Sequence, residues 1–188
     1  MAKATNALTQ GISGKAAGLM FRRGRDGAII ILNAPRPSSK PASAAQKAQR
    51  ESFREASAFG RAVQQDPATK ALYEQRINEK VGSAYAAAVP DKLHAPEIHA
   101  VYLDAYQGRP GDLIRIQASD DFEVARVRVT ISNPDNSVVE TGDAIQQPGG
   151  LEWRYVATAN NASLTGDTFL IEALDRAGNR ATRNEPVA

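Results

Sequence analysis

The chain contains no cysteine, two histidines, two methionines and one tryptophan among its 188 residues. Without thiols there is neither a disulfide framework nor a thiolate nucleophile or metal ligand. No apolar run approaches the ~20 residues needed to cross a bilayer as a helix. The opening MAKATNALTQGISGKAAGLMF has no apolar core behind its lysine and is interrupted by Gly11, Gly14 and Gly18, so it does not read as a secretory signal. The expected location is the cytoplasm or a particle assembled there.

Lysine is also missing from half of the chain, since all seven lie at or before Lys92. Residues 1–92 carry 15 Lys and Arg against 7 Asp and Glu, a net +8, whereas residues 93–188 carry 8 against 14, a net −6. The overall charge of +2 hides this split. Such asymmetry points to electrostatically steered association with nucleic acid, with an anionic surface, or head to tail with a second copy. The length allows one ordinary domain with an appendage, or two small ones, and leaves no room for a large enzyme core.

From Gly14 the pattern runs AAGLMFRR, GRDG, AIIILN, two apolar runs around a Gly-bounded polar loop. That is a β-hairpin signal. Ile29, Ile30, Ile31 and Leu32 form a continuous run, which suggests a strand covered on both faces. A two-stranded hairpin is marginal in water, so something must cover it. Residues 34–42, APRPSSKPA, hold three prolines and read as an extended linker. The arm and linker are expected over 1–42.

Residues 43–92 read as a helical hairpin. Ser43 and Gln46 fit a capping box that opens a helix over about 43–65. Phe53, Ala56, Gly60 and Val63 fall on one side with Phe59 beside them, and Lys47, Arg50, Arg54 and Arg61 on the other. Asp66 and Pro67 restart a helix as N-cap and first residue. Leu72, Tyr73, Ile77 and Val81 then share a face, with a bend at Gly82 and continuation to Pro90.

From Glu97 the period becomes two. About seven short runs bounded by Gly, Pro, Asn and Asp have the density of a small β-sandwich over 93–188. Val127, Val129 and Ile131 alternate with Arg126, Arg128 and Thr130, and Trp153 and Tyr155 are expected to supply central core mass.

The segments SDDFEVARVRVTISNPDNSVVE and EALDRAGNRAT resemble the immunoglobulin-like domains of bacterial surface and phage structural proteins. The resemblance covers half of the chain and implies a fold, not an activity. The first half resembles a family of uncharacterised bacterial proteins with a Gly-Lys-x-x-Gly opening, a basic hairpin, a proline linker and the helix start Ala45, Gln46, Gln49, Arg50. It carries over no catalytic residue. The expected fold class is α+β: an N-terminal β-hairpin arm and helical hairpin followed by a C-terminal immunoglobulin-like β-sandwich.

Candidate sites are few. His94 and His99 flank Glu97, but a third zinc ligand is not evident and ordinary surface histidines account for them. Asp120, Asp121, Asp175 and Asn179 would suit calcium if they met at one end of the sandwich, although turn geometry accounts for the same residues. Neither histidine sits in a nucleophile elbow, and Gly14-Lys15 is followed by Ala16, which breaks the phosphate-loop pattern. No catalytic residue, metal or cofactor is therefore assigned, and an enzyme is not expected.

The expectation is a non-enzymatic structural subunit that self-assembles, as a filament or a component of a phage-like particle, with other copies of itself as partners. Leu19, Met20, Phe21, Ile29, Ile30, Ile31 and Leu32 would carry the contact, with Arg22, Arg23 and Arg25 choosing its orientation. Strand donation from the arm to a sheet edge would supply the geometry. The alternatives are nucleic-acid binding through the basic N-terminal half, to which Lys15, Arg36 and Lys40 would also contribute, or a monomeric carbohydrate- or protein-binding module.

Overall fold

The computed structural model describes residues 2–4, 12–24, 26–35 and 40–187. It contains three helices and three four-stranded antiparallel sheets among the described residues. The chain divides into two compact units, Met1–Ser43 and Ala44–Ala188. No helix is long and apolar enough to cross a membrane among the described residues.

The first unit is a sheet of β1 (Ala2–Ala4), β2 (Gly14–Ala16), β3 (Leu19–Arg23) and β4 (Ile29–Asn33), in the order β1-β4-β3-β2. The two-stranded hairpin expected from the sequence is thus the centre of a four-stranded sheet. GKAAGLMFRR, residues 14–23, makes two strands, because Ala17 and Gly18 at φ 50° and 76° form a two-residue turn. Positive φ at both central positions matches the twist of the flanking strands. Ala17 pays about 1–2 kcal/mol for that conformation, which glycine adopts freely. Residues 36–39 of the proline linker lie outside the described residues.

The second unit opens with α1 (Ala44–Gln65), α2 (Pro67–Glu74) and α3 (Ala84–Leu93). Asp66 caps α2 by accepting the Thr69 N–H at 3.0 Å, with Pro67 at the first helical position. The expected run to Gly82 stops at Glu74, because the Asn78 side chain accepts the N–H groups of Lys80 and Val81 and folds the chain into a turn. Ile77 is left exposed there. A new helix begins at Ser83, whose hydroxyl accepts the Ala86 N–H at 3.2 Å, and it passes through Pro90 to Leu93. Three helices therefore replace the expected pair.

Ala56, Gly60 and Val63 are buried on α1, but Phe53 is 52% exposed and residues 44–55 are exposed all round. The apolar face begins only where α3 meets α1. A Cβ on Gly60 would lie 2.8 Å from the Tyr85 ring and 3.0 Å from Val89, so glycine sets that close approach. Val63, Tyr73, Ala84 and Ala88 form the helical core, into which Phe122 packs from the strand region. Its ring lies 4.4 Å from that of Tyr73.

Eight strands follow: β5 (Glu97–Tyr102), β6 (Leu113–Ser119), β7 (Val124–Ser132), β8 (Val138–Asp143), β9 (Ile145–Gln146), β10 (Glu152–Val156), β11 (Thr168–Asp175) and β12 (Arg180–Pro186). They form two sheets, β5-β6-β10-β9 and β12-β11-β7-β8. One core joins both: Ile114, Ile116, Trp153 and Tyr155 from the first meet Val127, Val129, Phe169 and Ile171 from the second. Tyr155 donates to Glu140 at 2.9 Å, which satisfies its hydroxyl inside that core.

Candidate functional site

In the N-terminal sheet, Phe21 lies opposite Ile31, Met20 opposite Leu32, Arg22 opposite Ile30 and Arg23 opposite Ile29. Side chains alternate along a strand, so each face mixes large apolar residues with one arginine. Ile29 is 2% exposed, while Leu19, Met20, Phe21, Ile30, Ile31 and Leu32 are half-buried. Arg22, Arg23 and Lys15 are exposed. Arg25 and Arg36 lie outside the described residues. The strand at the outer edge, β2, is exposed along its length and has no further partner strand among the described residues.

The two histidines do not converge. His94 Nδ1 lies 2.5 Å from Asp121 Oδ2, whereas His99 lies 2.7 Å from the Ser119 hydroxyl through Nε2 and 3.6 Å from Glu97 through Nδ1. Both side chains are exposed.

A different group of residues does come together. Asp91 from the last turn of α3, Asp120 from the turn after β6, and Asp175 from the end of β11 each place one carboxylate oxygen within 4.8 Å of the others. Asp91 is 1% exposed, Asp175 2%, and Asp120 is half-buried. Each carboxylate is fixed by its own hydrogen bonds. Asp91 Oδ2 accepts the Tyr73 hydroxyl. Asp120 Oδ2 accepts the N–H groups of Phe122 and Glu123 at 2.9 and 3.1 Å. Asp175 accepts the Asn179 N–H and side-chain amide, both at 2.6 Å. That amide also donates to the carbonyls of Asp91 and His94, which ties the end of α3 to the β11–β12 turn.

Two oxygens are left over. Asp91 Oδ1 and Asp120 Oδ1 are buried and accept no hydrogen bond. No ion pair reaches any of the three aspartates among the described residues, because Lys92 donates instead to the Ala177 carbonyl at 2.9 Å and Arg176 pairs with Glu123. Burial pushes the Asp91 carboxyl up to about 7; the Tyr73 hydrogen bond opposes this, and the charges of Asp175 and Asp120, together with the close approach of the Asp120 carboxyl to that of Asp91, add to it. Burial also raises Asp175, against the hydrogen bonds from Asn179. Anions gathered away from water raise each other's proton affinity, or are matched by a cation.

Of the residues that the sequence offered for calcium, Asp120, Asp175 and Asn179 meet, while Asp121 turns to His94. Asp91 was not among them. One sequence signal bears on it: a carboxylate in the last turn of a helix opposes the macrodipole, which favours cations there.

No protein-family model and no curated protein matches the chain. A crystal structure of an engineered protein is similar over 56% of this chain at 18% identity, with a TM-score of 0.38. The chain spans about a quarter of that protein's length, the overlap covering 26% of it.

Proposed function

We propose that this protein is a non-enzymatic structural subunit that assembles with copies of itself through its N-terminal sheet. The observation that carries this reading is the state of β3 and β4, whose large apolar side chains, Ile29 apart, are only half-buried in a separate unit of four short strands. The exposed β2 edge beside them offers backbone groups to a neighbouring strand. Burying one such side chain contributes ~1.5–3 kcal/mol, and each added backbone hydrogen bond only about 1 kcal/mol net, so apolar burial would set the strength. Charge would set direction: a +8 segment meets a −6 segment favourably, and two +8 segments repel.

The two-sheet body is the partner surface in this reading, and we take it to be an immunoglobulin-like sandwich. Its sheet orders, β5-β6-β10-β9 and β12-β11-β7-β8, support that, since they correspond to the ABED and GFC arrangement with one added strand. On its outward face, register aligns Tyr102 with Arg115, Arg115 with Arg154 and Arg154 with Ile145. Tyr102, Ile145 and Val156 are exposed on that face, at 38%, 69% and 49%. A contact between two different surfaces closes into a ring or continues as a filament.

The test is light scattering after size exclusion on the full chain and on the double variant Ile30→Glu/Leu32→Glu, across tens of micromolar. The wild type is expected to exceed its monomer mass of 20.1 kDa with rising concentration, and the variant to stay monomeric. A wild type that remains monomeric throughout overturns the proposal.

A further inference from the structure

We propose that Asp91, Asp120 and Asp175 hold one hard divalent cation, of the calcium class, that ties α3 to the turns at one end of the two sheets. The site is made only of oxygen donors, the chemistry that calcium and magnesium select over softer metals. Calcium–oxygen distances of about 2.3–2.6 Å allow two ligand atoms on one ion to lie at most ~5 Å apart. The three aspartate oxygens, all within 4.8 Å of one another, fit inside that limit without rearrangement.

The second observation is the pair of orphaned oxygens. A buried acceptor with no donor is destabilising, and more so when it is charged. Asp91 is 1% exposed, yet its Oδ1 accepts nothing, and neither does Asp120 Oδ1 in the same cluster. Their sister oxygens are committed to Tyr73 and to the Phe122 and Glu123 amides, which hold both carboxylates in place. One proton shared between Asp91 and Asp120 would satisfy these two atoms but leave Asp175 charged beside them. A divalent ion answers all three. Neither Lys92 nor Arg176 competes for the position, since each is engaged elsewhere.

The consequence is structural. Asp91 belongs to the helices, Asp120 and Asp175 to the sheets, so the ion would couple the two parts of the second unit. All three aspartates belong to the second unit, and the inference does not rest on self-assembly.

The experiment is thermal unfolding and calorimetric titration of the full chain, stripped with EDTA and then supplied with CaCl2 or MgCl2. At about 100 times Kd, one ion bound only by the folded state is expected to raise Tm by ~5 °C or more, with one ion per chain. Asp120→Asn keeps an oxygen for the two backbone amides and removes one charge, and it is expected to weaken binding at least tenfold. Asp91→Asn is the second variant. A response to either metal that both variants abolish supports the site. Two results overturn it: no Tm shift and no binding heat from either metal at 5 mM with the wild type, or a response that survives both variants unchanged. The wild-type titration decides even if a variant fails to fold.

Discussion

Glu140 is 8% exposed on β8 and remains a carboxylate because its environment supplies donors. Burial alone pushes its pKa up, but hydrogen bonds from the Thr158 N–H and hydroxyl, the Tyr155 hydroxyl and the Ala159 N–H outweigh this and hold it below the ordinary 4.5. A folded-state value below the unfolded one contributes stability that is present above pH 4.5 and is lost as pH falls through the folded value. Glu140→Gln is expected to cost about 1–3 kcal/mol at pH 7, since the charged acceptor becomes neutral and the new amide N–H groups meet no acceptor at the buried Oε1 position. The difference in Tm between wild type and variant should shrink in acid below pH 4.5, and a constant difference from pH 7 to pH 3 would contradict the assignment. Tyr73→Phe strips from Asp91 Oδ2 its hydroxyl donor and is expected to destabilise by a similar ~1–3 kcal/mol, read as the midpoint of urea unfolding.

Among the elements, β8 and β10 approach closely at Gly142. A Cβ there would lie 2.8 Å from the Tyr155 ring and 3.2 Å from its hydroxyl, and that hydroxyl is pinned by Glu140. Gly142→Ala is therefore expected to destabilise by ~1–3 kcal/mol, and to lose most of that cost when combined with Tyr155→Phe, which frees the ring to move. A fully additive double variant would show that the ring was not the obstacle. The long periodic elements were legible in the sequence for a simple reason: Val127, Val129 and Ile131 are buried between outward Arg126, Arg128 and Thr130, and the period of two records that directly. Asp66 and Pro67 announce α2 equally well. What was hidden has no period to read. β9 is two residues long, the Ala17–Gly18 turn lacks the usual asparagine, and α2 ends through a side-chain turn at Asn78 rather than at a glycine. Phe53 shares the helical spacing of buried neighbours, but spacing cannot say where along α1 a partner begins. The aspartate cluster joins residues 29 to 84 positions apart, a proximity that only the folded chain creates.

Across the whole molecule, charge and apolar surface make separable demands. Raising NaCl from 50 to 500 mM is expected to slow assembly through the N-terminal sheet while leaving its final extent nearly unchanged, because screening acts on exposed charges and not on buried methylenes. Time-resolved light scattering reads both quantities. Binding to non-specific DNA, by contrast, would weaken by orders of magnitude over the same range, and a gel-shift titration showing tight, salt-labile binding without self-assembly would favour the nucleic-acid alternative. The two ends of the two-sheet body are also tied to each other. The final strand, β12, is paired with β11 from Thr168 opposite Pro186 to Leu174 opposite Arg180, and its Arg183 also reaches across to the carbonyl oxygen of His99 on β5 at 2.8 Å. The first and last strands of the body are thereby riveted by one guanidinium. A pull on the C-terminal end would strain that hydrogen bond along with the β11–β12 ladder.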